Sequence, residues 1–193
     1  MNITLSWDLF VVVFFVVILA YSLIIGRDNT LKVILGTYVS MIAADAGGAL
    51  FAKYLSGSEL FMKILKLAAV GTEQEAMVFI KVIIFVALVI LFAVRGAFEV
   101  DTSDDRSVIV RTILSVVYAV LSAGLIISAI LVFVSGVSLI GGGGGEQSTV
   151  TALWDVYNQS QMIRMIVDNS NVWFSLPALA FLIHSFYSHK ETI

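Results

Sequence analysis

Residues 33–52 read VILGTYVSMIAADAGGALFA, an apolar run with a single charge, Asp45. So long and oily a stretch is not a water-facing helix, and a lone carboxylate within it requires a partner or a proton. Gly36, Ser40, Ala44, Gly48 and Ala52 recur there every fourth residue. On an α-helix that spacing stacks the five small side chains into one ridge. Such a ridge lets a second helix come close, the usual mode of helix pairing in lipid. The segment therefore points to a bilayer as solvent and to a packed helix bundle as architecture.

The rest of the chain agrees. Hydrophobic residues make up 60% of its 193 residues and charged residues 13%, with a mean hydropathy of +1.02. Soluble domains are about 25% charged. The net charge of −3 is dispersed, and no basic block marks a nucleic-acid partner. With no cysteine, disulfides, thiolate chemistry and cysteine zinc sites are excluded. The only proline, Pro177, leaves the preceding helices uninterrupted.

Four spans are expected, over residues 9–25, 33–52, 76–94 and 113–134, within a membrane domain covering 1–140. The first lacks a preceding basic residue and is read as a retained span, not a cleaved signal. The short polar stretch 27–32 predicts an antiparallel hairpin between the first two. Residues 56–69 carry Lys63 and Lys66 among apolar neighbours, as an interfacial helix would. Thr72 and Glu75 have capping-box spacing at the start of the third span. The acidic stretch 99–106 lacks the ligand spacing of a calcium loop and reads as a solvated connection. A second, shorter ridge, Ser115, Ala119 and Ala123, lies on the fourth span.

Residues 141–147 form a glycine-rich hinge; no Gly-Lys-Ser/Thr follows the five glycines, so it is no phosphate loop. The remainder, 148–193, reads as a C-terminal amphipathic and partly apolar segment. Arg164 and Asp168 are spaced for a surface pair within it. Residues 172–187, interrupted by Pro177, are expected to dip into the membrane or lie at its interface, with a fifth span as the alternative. Basic residues split five against five between the two sides. Those in short loops carry more weight, which favours the N-terminus and the C-terminal segment outside.

Two charges fall inside predicted spans. Asp45 lies seven residues before the end of its span at Ala52, and Lys81 lies five after the start of the next at Ala76. Both ends are on one side of the membrane, so both groups sit about 8–10 Å in from it. An ion pair or proton-coupled pair between them is the expectation; the alternative is a snorkelling Lys81 and a protonated Asp45. His184 and His189 are too few for a metal site, and no catalytic set or cofactor site can be singled out. Trp7, Tyr21, Trp154, Trp173 and Tyr187 are read as interface anchors.

Taken in order, several features resemble the colicin V production protein family. Trp7-Asp8-Leu9 opens the first span. A turn with Gly26 and Arg27 leads into a second span rich in small residues. Third and fourth spans follow across a polar loop. Then come Ser160-Gln161-Met162-Ile163, Asp168-Asn169-Ser170 and Leu176-Pro177. The chain has Asn29-Thr30 and Ser115-Val116 where such proteins tend to carry glycine, and its five-glycine insert and apolar tail are unusual for them. The resemblance implies a small multi-pass protein of the bacterial inner membrane, without enzyme activity. Its role would lie in colicin production or export and in envelope homeostasis, with export or envelope proteins as partners. Gly26, Gly36, Gly48 and Pro177 would then be structural positions. The two ridges add an expectation of self-association. A small ion- or proton-conducting protein using Asp45 and Lys81 is the competing reading, although conduction normally needs a series of polar sites.

Overall fold

The computed structural model describes residues 7–55, 58, 63, 73–95, 108–134, 158 and 160–188; the side chains of Trp7, Ala52, Leu55, 73–75 and 184–188 lie outside that description. The elements are α1 (Trp7–Leu55), α2 (Glu73–Arg95), α3 (Val108–Val134), α4 (Gln161–Asp168) and α5 (Ser170–Ser188). The expected interfacial helix at 56–69, the capping box at Thr72, the acidic loop at 99–106 and the glycine hinge at 141–147 fall on or across undescribed residues, as do Trp154 and His189.

The described residues form an all-helical membrane bundle. Asp8–Phe51, Ala76–Arg95 and Val108–Val134 are each long and apolar enough to cross a bilayer, and α4 and α5 together pass the same test across a 57° bend. The outward surface is oily: Ile24, Val94 and Val108 are more than 70% exposed. Only hydrocarbon makes such a surface tolerable.

Asp8–Phe51 is 44 residues long, about 66 Å if straight, twice the ~30 Å hydrocarbon core. It is not straight. Gly26 has φ 82° and ψ 172°, a backbone region that is essentially glycine's alone. Across this break Thr30 Oγ1 lies 2.9 Å from the carbonyl oxygen of Ser22, although eight residues of continuous helix would rise about 12 Å. Phe14 and Ile18 from before the break pack on the cluster that holds Val33 and Ala44 from after it. The chain thus doubles back at Gly26, giving a first arm before it and a second arm after it. The expected connection at 27–32 is corrected: these residues are helical, and Arg27 is buried. A polar turn is not needed because side chains complete the end of the first arm. Thr30 donates to the carbonyls of Ser22 and Gly26, and Asn29 Nδ2 donates to that of Ile25. The last carbonyls of a helix lack intrahelical donors, and side chains such as these supply them.

α3 is the central pillar. Its most apolar stretch is 67% buried, against 17% for Asp8–Phe51 and 11% for Ala76–Arg95. Leu31, Ile34, Tyr118, Leu121 and Leu125 form one core cluster around it; Val33, Ala44, Phe85, Ile126, Ala129 and Phe133 form another.

The C-terminal segment packs on α3, and its bent α4–α5 pair has the form of a broken span or a re-entrant loop. Ser170 shares a small cavity with Ser128, Leu131 and Val132 of α3. Trp173 lies against Gly124, and Ala180 and Phe181 pack on the cluster of Tyr118 and Leu121. This register runs α5 antiparallel along α3, through a fully buried Pro177. α4 is amphipathic: Ile163 and Ile166 are buried, while Gln161, Met162, Arg164, Met165 and Asp168 are exposed.

Candidate functional site: a buried ion pair in a small-residue groove

The second arm of α1 and α2 run antiparallel, so Gly36 meets Phe92 at one end of their contact and Gly48 meets Lys81 towards the other. At Gly36 an added Cβ would come within 2.6 Å of the Phe92 Cβ. At Gly48 it would overlap the Lys81 side chain. Between them Ala44, fully buried, shares a core cluster with Phe85. The ridge therefore acts as a groove that seats Lys81, Phe85 and Phe92 of α2. This refines the expectation of close backbone approach: the small residues make room for large side chains. Ser40 is fully buried on this ridge, and its hydroxyl has no hydrogen-bond partner. Ala52 is helical, with its side chain outside the described set.

The groove places the charges. Asp45 is 1% exposed and Lys81 13%, and Lys81 Nζ donates to Asp45 Oδ1 at 2.6 Å. Gly48, one turn beyond Ala44, clears the path of the lysine stem. A carboxylate and an ammonium that would each be expensive in hydrocarbon neutralise one another across two helices.

The second ridge is used inside the chain as well. Ala119 and Ala123 are fully buried, and Ser115 returns its hydroxyl to the Arg111 carbonyl at 2.9 Å. Gly36, Ala44 and Gly48 of the first ridge and Ala119 and Ala123 of the second are thus packed within the chain.

Three features were missed by sequence reasoning. Trp173 covers Gly124 and is no interface anchor; Gly124 follows Ala123 directly, so the small patch continued past the ridge. Tyr38 Oη donates to the Phe174 carbonyl at 2.5 Å, tying the second arm to α5. At the start of α4, Ser160 is the N-cap, accepting from the Ile163 amide at 3.0 Å while donating to Asp8 Oδ1 at 2.6 Å. The Met162 amide also donates to Asp8, at 3.1 Å. A carboxylate suits a helix N-terminus, whose amides lack partners and which carries partial positive charge. Asp8 and Ser160, 152 residues apart, were each legible as polar residues beside an apolar run, but nothing local joins them.

Among the described residues no group of three His, Cys, Asp or Glu is placed to hold a metal ion, and the side chains of His184 and His189 lie outside that set. Compared with known protein families, with curated proteins and with solved structures, the chain matches none of them.

Proposed function

We infer that this chain is a non-catalytic multi-pass protein of the bacterial inner membrane, a scaffold that supports toxin production or export, or envelope maintenance. The resemblance to colicin V production proteins supplies the biological role. The observation that carries the scaffold reading is the Asp45–Lys81 pair, buried and closed at 2.6 Å. A pair so enclosed holds two helices in register, its charges engaged with each other. The test is complementation. A colicin V-secreting bacterium lacking its own production protein should regain secretion on expressing this chain. Gly48→Leu, which drives a branched side chain into the Lys81 stem, should fail to restore it. No rescue by the wild-type chain, inserted and stable in the membrane, would remove the assigned role.

Ion or proton conduction is the second reading, favoured by the same pair together with the unpartnered hydroxyls of Ser40, Ser122 and Ser128. Proteoliposome flux that depends on pH or on one ion, and that Asp45→Asn abolishes, would favour conduction over the scaffold.

A further inference from the structure

A cleft of ≈ 420 Å³ opens between the first arm of α1 and α2, floored by Val33, Phe85, Ile126 and Ile130. Its walls are apolar except for Ser22, which is 2% exposed and whose hydroxyl has no hydrogen-bond partner. Along α2 the lining begins at Phe85 and ends at Val94. Phe85 is the middle of the span Ala76–Arg95, and nine residues of helix rise about 14 Å. That is half of the ~30 Å hydrocarbon core, the depth of one leaflet. The lining on the first arm, Phe14 to Ser22, has a similar rise of about 12 Å. At the outer end the cleft reaches Tyr21, 41% exposed, and Val94, which is followed by the exposed Arg95. An aromatic and an arginine together are what the headgroup level selects.

We propose that this cleft holds one acyl chain of a membrane phospholipid from the leaflet at the Arg95 end, with the lipid's anionic headgroup drawn to Arg95. A helix from a second copy would cross both leaflets, whereas the cleft stops at the middle. A lipid tail ends where the cleft ends. Arg95 beside the outer end matches a phosphate and would repel the Arg95 of a second copy seated there. Ser22 stands near the outer end, at the level of the ester groups that join tail to headgroup.

Native mass spectrometry of the full chain released from mild detergent provides the test. Wild-type monomer is expected to retain a single phospholipid, with phosphatidylglycerol preferred over phosphatidylcholine of the same chains. Arg95→Gln should narrow that preference about fivefold, the worth of one basic residue at the membrane surface. Ala93→Phe, which fills the cleft, should lower retention about tenfold. Ile24→Phe, a similar enlargement on an exposed face away from the cleft, should leave it unchanged. Bare wild-type monomer would overturn the proposal, and so would Ala93→Phe that keeps its helical circular dichroism and its lipid. A lipid-free wild-type dimer that Ala93→Phe splits would assign the cleft to a second copy instead. Should Ala93→Phe fail to fold, the wild-type lipid titration alone decides: retention without preference for the anionic headgroup counts against the proposal.

Discussion

Asp45 survives in hydrocarbon because Lys81 meets it there, and Lys81 can do so because Gly48 leaves room for its stem. The three positions form one device. Removing one partner of a buried pair leaves an uncompensated charge and costs about 3–5 kcal/mol, whereas replacing both is far milder. Asp45→Asn and Lys81→Met should therefore be non-additive, with a coupling of about 1–3 kcal/mol in mixed-micelle unfolding. Strict additivity would mean that the contact contributes nothing to stability. Both charges were legible, since each stands alone in an apolar run and their depths match from opposite directions. The unfilled hydroxyls of Ser22, Ser40, Ser122 and Ser128 were not. A serine in a helix can return its hydroxyl to a carbonyl one turn back, so sequence does not tell which of them do.

At the scale of elements, the hairpin in α1 depends on Gly26. Its φ of 82° with ψ of 172° suits no L side chain, although an added Cβ would meet nothing within 4 Å. Gly26→Ala should then destabilise the protein through backbone strain alone, by about 1–3 kcal/mol. Thermal unfolding in detergent measures this; an unchanged midpoint would show that the turn tolerates another geometry. The location of the hairpin was legible to within a few residues from the polar letters after Gly26. Its tightness was not, because hydrophobicity places Asn29, Thr30 and Arg27 outside a span without showing that Asn29 and Thr30 cap the preceding helix. The same limit applies to α5. Its apolar run was short and carried Pro177, and both features argue against a packed span when read locally. Burial against α3 outweighs them.

Over the whole molecule, the first arm, second arm, α2 and α3 bring the chain back to the side where it began, and the Asp8–Ser160 contact closes that circuit. α5 then runs along α3 away from that side. Reporters sensitive to compartment, fused to each terminus, are expected to place the N- and C-termini in opposite compartments. The same compartment for both would mean that α5 turns back within the bilayer. Composition and periodicity alone determined the solvent, the helical class and the two charges that had to be answered in lipid. Those are properties of single segments, set by transfer energy and by spacing along the chain. Tertiary structure alone decided that Lys81 and Phe92 lie against Gly48 and Gly36, that Trp173 belongs to Gly124, that Asp8 meets the N-cap Ser160 152 residues away, and that a one-leaflet cleft remains. Each of these depends on which surfaces meet, and a helix that is oily on every side carries no mark of which side faces protein and which faces lipid.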